Sequence, residues 1–99
     1  MAVKVLIKRK FKKDALKEAS RLLLKTRYDA MGRKGYISSE TLSDIEMPNN
    51  VVVASMWQTS GDWLVWKDSA VRRENEAEIE KYIEAPTEIE IYVLGMPNA

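Results

Sequence analysis

Ninety-nine residues are enough for one compact domain and too few for two. The chain contains no cysteine and no histidine, which excludes a disulfide scaffold, a thiol nucleophile, a Ser-His-Asp triad and a metal site built on those ligands. No apolar run is long enough for a signal peptide or a membrane span, so we expect a cytoplasmic protein without a membrane partner.

The net charge of +1 hides an uneven distribution of charged residues. Residues 1–36 carry twelve Lys or Arg and three Asp or Glu, whereas residues 37–99 carry four and twelve. A basic half of this kind occurs on nucleic-acid-binding surfaces. It also fits two halves that interleave in one sheet and neutralise each other. Because both halves show regular elements, we favour the second interpretation and predict no nucleic-acid partner.

The first third of the chain predicts a strand followed by a helix. Residues 3–11 alternate for much of their length, with aliphatic side chains such as Ile7 on one face and lysines on the other. Residues 13–31 place small and aliphatic side chains, including Leu23, at helical spacing. Gly32 predicts a helix C-cap in the left-handed conformation.

Two strands are predicted in the middle of the chain. Residues 35–45 indicate a polar strand near an edge of the sheet. The segment 47–50 is typical of a turn, because Pro48 fixes φ and the asparagines tolerate unusual backbone angles. Residues 51–57 are apolar on both faces, so this strand must be covered on both sides.

Two helices are predicted after the third strand. Ser60 is a candidate N-cap for a short helix over 61–67, and Ser69 for a longer helix over 70–83. Pro86 is expected to stop the second helix. The acidic residues of this helix alternate and scatter over its faces, which favours a solvated helix supported by an Arg72–Glu76 pair.

The last predicted strand, residues 87–93, completes a β-α-β-β-α-β order. This order predicts a ferredoxin-like α+β sandwich, in which helices cover one face of the sheet. A second copy of the sheet is the simplest cover for the other face, so we predict a homodimer with a central barrel. The outward lysines of strand one and the glutamates of strand four then become neighbours.

An RNA-binding sheet shares this strand order. The segment Lys34–Ser38 begins like the aromatic motif of such sheets, but the further aromatic residues are missing and the segment opens the wrong strand. We therefore reject RNA recognition.

All three tryptophans lie within ten residues. Trp57 ends the third strand, and Trp63 and Trp66 lie three residues apart on the next helix, on adjoining parts of one face. Rings so placed usually bury a large area and anchor helix to sheet. We interpret Trp57 and Trp63 as anchors and leave both a structural and a functional role open for Trp66.

The segment VASMWQTSGDWLVWKDSAVRRENE, with GYISSETL before it and PTEIEIY after it, resembles the antibiotic biosynthesis monooxygenase (ABM) domain family. The resemblance covers about residues 3–93 of a single domain assigned to 1–99. It implies a dimeric α+β barrel. It also implies one of two chemistries, which are the cofactor-independent oxygenation of phenols or anthrones to quinones, and haem degradation.

The haem route in this family resembles a triad of an Asn on strand one, a Trp on the second helix and a His about ten residues later. On this chain the Trp falls at Trp66, the Asn position falls near Ile7, and the His position falls at Glu76. Because two of the three positions differ, haem is disfavoured, and we predict no cofactor and no metal site.

Our leading hypothesis is a cofactor-independent monooxygenase acting on a hydrophobic aromatic substrate. A non-catalytic dimeric module that binds a small hydrophobic ligand is the alternative, and a haem-binding relative is a third. We assign Trp66 as the catalytic candidate. The predicted pocket residues are Ile7, Leu23, Tyr36, Asn50, Trp63 and Glu76, with Asn49 as a further polar candidate.

Overall fold

Strands and helices follow one another in the predicted order. The computed structural model describes residues 1–96, and the last three residues of the predicted 1–99 domain lie outside the described part. The elements are β1 (Val3–Lys10), a 3-10 turn (Lys13–Ala15), α1 (Leu16–Met31), β2 (Tyr36–Ser43), β3 (Asn50–Trp57), α2 (Ser60–Lys67), α3 (Ala70–Glu80) and β4 (Glu88–Val93).

The four strands form one antiparallel sheet in the order β2-β3-β1-β4. The apolar strands β1 and β3 are central, and the more polar β2 lies at an edge, as predicted. One face of the sheet packs against the helices, so the predicted ferredoxin-like α+β architecture is confirmed.

The alternating pattern of β1 decides which side chains enter the core. Val3, Val5 and Ile7 are buried on the helix-facing side. Arg9 has the same parity and is also buried, although the sequence interpretation did not single it out. The helix-facing side of β1 therefore begins apolar and ends in a buried charge.

Two hydrophobic clusters fill the space between the sheet and the helices. The first centres on β1 and the tryptophans and contains Val3, Val5, Ile7, Ala30, Trp57, Trp63 and Trp66. The second joins α1, α3 and the end of β1 and contains Phe11, Ala19, Leu22, Leu23, Val51 and Ile79. Trp57 and Trp63 belong to one cluster from opposite layers, which confirms their predicted role as anchors.

The helix ends differ in detail from the predictions. Thr59, not Ser60, caps α2, because its hydroxyl accepts a hydrogen bond from the backbone N–H of Asp62 at 3.0 Å. Ser69 caps α3 as predicted. Within residues 1–96, no helix has both the length and the apolar character needed to cross a membrane.

The second predicted helix ends three residues early, at Glu80 rather than residue 83. The chain after it pairs with the end of β1 instead. Ile83 forms a bridge with Phe11, and the backbone N–H of Glu84 donates to the carbonyl of Lys10 at 2.8 Å. This extended pairing, rather than Pro86, ends the helix.

Gly32 and Gly35 have different backbone roles. Gly32 is the C-cap residue of α1, as predicted, but its φ is −88°, so the left-handed conformation expected there is wrong. Gly35 has φ +84°, a conformation that favours glycine. Its carbonyl accepts from the backbone N–H of Gln58 at 2.8 Å, and a Cβ here would overlap the side chain of Asp62. Gly35 thus allows the entry of β2 to pass close to α2.

The two oppositely charged halves of the chain are joined by ion pairs. Lys8 contacts Glu90 across β1 and β4 at 3.0 Å, and Lys10 contacts Glu84 at 3.9 Å. Arg9 contacts Glu76 of α3. The prediction that the charge asymmetry is compensated inside the fold is therefore confirmed for these pairs.

Asn75 links α3 to α1. It is only 4% exposed, its side-chain carbonyl accepts from Lys25 Nζ at 2.8 Å, and its amide donates to Asp29 Oδ2 at 2.9 Å. Lys25 and Asp29 also contact each other at 3.1 Å. The hydrogen bonds from Asn75 and Lys25 lower the pKa of Asp29 below its usual value.

We predict that Gly35→Ala lowers the free energy of unfolding by about 1–2 kcal/mol, because alanine is strained at positive φ. Gly32→Ala is the matched control, since φ is negative there and an added Cβ meets no atom within 4 Å. Urea unfolding of both variants tests this. Equal stabilities for the two variants would contradict the assigned role of Gly35.

We also predict that Asn75→Ala lowers the free energy of unfolding by about 1–3 kcal/mol near neutral pH, because it removes two part-buried hydrogen bonds and leaves the buried Asn75 site without its amide. Asp29 has a lowered folded-state pKa, so its contribution is present above its usual pKa of 3.8 and is lost as the pH falls through the lowered value. The gap between the wild type and Asn75→Ala should therefore narrow in acid. Urea unfolding across pH, with exposed Glu74→Ala as control, measures this gap; a gap that stays constant in acid would rule out the Asp29 contribution.

Candidate functional site

A small cavity lies between the sheet and the helix layer, next to the tryptophans. Its volume is ≈ 40 Å³, which exceeds the minimum needed to hold one water molecule and is far below that of a ring system. Every strand except β4, and every helix, contributes to its walls. The lining residues are Ile7, Arg9, Leu23, Thr26, Arg27, Ala30, Tyr36, Ser39, Thr41, Val53, Ser55, Trp57, Trp63, Trp66, Arg72 and Glu76.

Aromatic rings form one side of this cavity. Tyr36 meets Trp57 edge to face, with ring centroids 5.5 Å apart, and Trp57 lies 6.0 Å from Trp63. The pairing of β2 with β3 produces the first contact, because Tyr36 and Trp57 are direct partners in the register. Trp66 follows Trp63 by three residues on α2 and is buried in the same wall.

Hydrogen bonds and cations fix several of these side chains. The indole N–H of Trp57 donates to the Ser55 hydroxyl at 3.1 Å, and the Tyr36 hydroxyl shares a 2.8 Å hydrogen bond with Ser39. The guanidinium of Arg72 lies 5.2 Å from the Trp63 ring, within cation–π range. The aromatic wall is therefore held in place from several elements.

Charged side chains from β1 and α3 line another part of the cavity, which we call the charged end. Arg9 of β1 donates to the Glu76 carboxylate of α3, and Arg72, one turn earlier on α3, approaches the same carboxylate at 3.6 Å. Both arginines are buried, at 4% and 6% exposure. Burial lowers the pKa of both guanidinium groups, and Glu76 opposes that shift at each.

Within residues 1–96, four buried side-chain polar atoms have no hydrogen-bond partner. They are Arg9 Nε, Thr26 Oγ1, Trp63 Nε1 and Arg72 Nη2. All four belong to residues that line this one cavity. Three of them are nitrogen donors that cannot accept, so the cavity is rich in unused hydrogen-bond donors.

A larger open groove adjoins the cavity, between α1 and the edge strand β2. Its volume is ≈ 530 Å³, which lies in the range of small-molecule sites. Leu23, Arg27, Ser39 and Thr41 line both spaces and form the boundary between them. The arrangement is a broad apolar groove leading to a narrow, donor-rich end.

Six of the seven predicted site residues meet at the cavity: Ile7, Leu23, Tyr36, Trp63, Trp66 and Glu76. Asn50 does not. It lies with Lys8 and Val52 in a shallow depression on the outer face of the sheet. Asn49 is buried, but its amide donates to the carbonyl of Phe11 at 3.0 Å, which gives it a structural role.

Sequence reasoning missed the two arginines. Arg9 could have been found from its parity with Ile7 on β1, but it sits among basic residues that read as solvent-facing. The Arg72–Glu76 pair was expected on a solvated face. The pair exists, but Arg72 is buried and Glu76 turns inward, whereas Glu74, Glu78 and Glu80 are exposed as expected.

The residues present do not fit the haem route. Glu76, at the position of the family's axial His, is already paired with Arg9 and Arg72. Ile7, at the position of the family's Asn, has no hydrogen-bonding side chain. These two positions therefore offer neither an available iron ligand nor the polar partner that this chemistry uses.

No protein-family model matches the sequence, and no curated protein matches it. Solved structures match it over nearly its whole length. A conserved protein from Methanosarcina mazei Go1 has a TM-score of 0.88 and 21% identity, with 93% of this chain and 91% of that chain covered.

SnoaB from Streptomyces nogalater, described as a cofactor-independent oxygenase, has a TM-score of 0.87 and 10% identity, with 97% of this chain and 95% of that chain covered. A structure described as an antibiotic biosynthesis monooxygenase has a TM-score of 0.85 and 12% identity, covering 96% of this chain and 99% of that chain. Identities this low establish fold rather than activity. The chain therefore has the fold of the antibiotic biosynthesis monooxygenase structures, as its sequence resemblance implied.

Proposed function

We propose that this protein is a cofactor-independent monooxygenase acting on a hydroxylated aromatic substrate. The observation that carries the proposal is the apolar groove that leads to a buried cavity walled by Trp57, Trp63 and Trp66. The fold shared with a cofactor-independent oxygenase supports it. A cytoplasmic location stays a prediction from the sequence.

The proposed reaction converts a ring CH₂ and dioxygen to a ring carbonyl and water. The substrate loses a proton from carbon, the carbanion reduces dioxygen, a C–O bond forms, and the peroxide intermediate then loses water. All four electrons come from the substrate, so the protein supplies neither a metal nor a flavin.

The side chains contribute binding and shielding rather than electrons. The fused rings lie in the groove against Leu23, and the reacting edge enters the cavity, which Trp66 lines. The hydroxyls of Tyr36 and Ser39, which are 2.8 Å apart, bond the substrate oxygen. Excluding water protects the carbanion from protonation. The contacts with the groove and the hydroxyls orient it toward dioxygen. Because the inner cavity is only ≈ 40 Å³, the ring system stays in the groove.

We further propose that the protein is a homodimer that pairs through the outer face of the sheet. The centre of this face carries the half-buried apolar residues Leu6, Val52 and Met56, and no described element covers it. Lys8 and Glu90 flank this centre. An apolar centre with both charge signs around it is suited to self-association about a twofold axis.

The edge strand β4 gives a second reason for a partner. Its helix-facing residues Ile89, Ile91 and Val93 are 37–51% exposed, because the described helices stop short of this strand. An apolar edge strand left open is prone to uncontrolled pairing. A second copy of the chain placed along this edge would bury these side chains.

The oxygenase proposal predicts oxygen uptake when purified, metal-free and flavin-free protein meets an anthrone, whose ring CH₂ can be oxidised to a carbonyl. With ¹⁸O₂, one labelled atom should enter the quinone and one should leave as water. Heat-denatured protein controls for spontaneous oxidation. Binding without uptake across a substrate panel would favour the non-catalytic ligand-binding alternative.

Trp66→Phe should lower kcat/KM roughly 10- to 100-fold, because a smaller ring leaves the reacting edge misplaced. Leu64→Ala is the matched control on α2, since Leu64 is 47% exposed and lies outside the lining residues. Initial rates of oxygen uptake measure the difference. Equal losses of kcat/KM in the two variants would contradict the assignment of Trp66 to the site.

The dimer proposal predicts twice the chain mass by light scattering at micromolar concentration. Val52→Glu, at the centre of the outer face, should shift the protein to monomer because it places like charges opposite each other. Val65→Glu is the control, since Val65 is 72% exposed on α2. A monomeric wild type would sink the proposal.

A further inference from the structure

We infer that the ≈ 40 Å³ cavity, which forms the narrow end of the site, is a subsite for an anion. The ligand that we infer is an aromatic carboxylate whose rings occupy the adjoining groove. The inference rests on the proposed function only in placing the ligand at the same site. It adds a substrate class, because a neutral phenol or anthrone would leave the charged end unused.

The charge count at the narrow end is the first observation. Among the described residues that line the cavity, Glu76 is the one acidic side chain, whereas Arg9, Arg27 and Arg72 are basic. Arg9 is paired with Glu76, and Arg72 reaches the same carboxylate only at 3.6 Å. The exposed Asp68 favours the charged form of Arg72 from outside the cavity. One buried positive charge therefore remains incompletely neutralised.

The unused donors are the second observation. Arg9 Nε, Arg72 Nη2 and Trp63 Nε1 are buried nitrogens that only donate, and none has a partner among the described protein groups. Leaving buried donors unpaired is costly, so such sites usually hold an acceptor. A single water offers two lone pairs, whereas a carboxylate offers about four acceptor positions on two oxygens together with the missing negative charge.

The shape of the site selects which anion. The cavity of ≈ 40 Å³ has room for little more than a small polar group, and the adjoining groove of ≈ 530 Å³ has room for fused rings. Phe11, Leu16 and Leu24 give the groove an apolar surface for the rings, whereas its β2 side is polar and includes the exposed Glu40. Glu40 lines only the groove, so it disfavours an anion there and not in the cavity. Arg27 lines both spaces at their boundary and is exposed, where it can attract the anion from solvent.

Arg72 also gains from such a ligand. Its Nη1 donates to the carbonyl of Lys67 only at the long distance of 3.5 Å, and its Cζ lies 5.2 Å from the centroid of the Trp63 ring. An anion in the cavity would supply the acceptor that Arg72 Nη2 lacks.

The test compares 2-naphthoate with 2-naphthamide, which have the same size and differ in charge, by isothermal titration calorimetry. The wild type should bind the acid at least about tenfold more tightly than the amide, since charge-assisted hydrogen bonds are involved. Fluorescence of the tryptophans should report the same event, because all three line the cavity. Equal affinities, or no binding of the acid, would overturn the inference.

Two pairs of variants locate the binding. Arg72→Gln should abolish the preference for the acid, whereas Arg73→Gln removes the same charge from an exposed neighbour and should preserve it. Glu76→Gln should strengthen binding of the acid, because it removes the competing carboxylate. Exposed Glu74→Gln should leave the affinity unchanged. A loss of affinity in Glu76→Gln that is folded by circular dichroism would contradict the assignment.

The titration requires neither dioxygen nor turnover, so its result is independent of the oxygenase assay. Binding of 2-naphthoate without oxygen uptake from any substrate would support the anion subsite and not the oxygenase. Oxygen uptake from a neutral anthrone without preference for the acid would support the oxygenase and not the subsite. If a variant fails to fold, the comparison of acid and amide on the wild type still decides the inference.

Discussion

The placement of one charged side chain, Arg9, constrains the arrangement of the elements around the cavity. The pleat of β1 directs it into the core after three aliphatic residues, and a buried guanidinium requires a counter-charge. Glu76 supplies that charge from α3, so the strand and the helix must keep their present orientation. Because Arg72 shares the same carboxylate and covers Trp63, the ion pair also connects α3 to α2. A buried pair of this kind fixes geometry more than it adds net stability.

The tryptophans lie close together in the sequence but have different roles in the structure. Trp57 ends β3, packs against Tyr36 across the sheet and has its indole N–H satisfied by Ser55. Trp63 joins that wall from α2 but leaves its N–H unpaired beside the charged end. A packing role explains every contact of Trp57, but it does not explain the unpaired N–H of Trp63. A residue that packs well and still carries an unused donor belongs to both the core and the candidate site.

The sequence was enough to predict the fold because its hydrophobic periods are clear. The alternation in β1 and β4, the apolar run in β3 and the helical spacing between them predict the element order, and that order implies the ferredoxin-like sheet. Boundaries that depend on distant pairing were not predictable: α3 ends at Glu80 because the following residues pair with Phe11, some seventy residues away in sequence. In the candidate site, too, features set by local sequence were predictable and features set by distant pairing were not. Local spacing placed Trp66 beside Trp63, and the family resemblance assigned it to the site. Asn50 lies outside the cavity and Arg9 was missed, because facing the core is decided by strand pairing rather than by residue type.

The chain has no histidine, and the charged end of the cavity is built around a carboxylate instead. A histidine ligand would need a neutral, accessible imidazole, whereas the corresponding position is filled by Glu76, which is held between two guanidinium groups. The carboxylate of Glu76 makes possible the burial of Arg9 and Arg72. The two positive charges of these arginines exceed the single negative charge of Glu76. The site therefore favours a ligand that is already an anion, and it stabilises negative charge that develops on a ligand during a reaction. A site built in this way stabilises an anion through fixed donors.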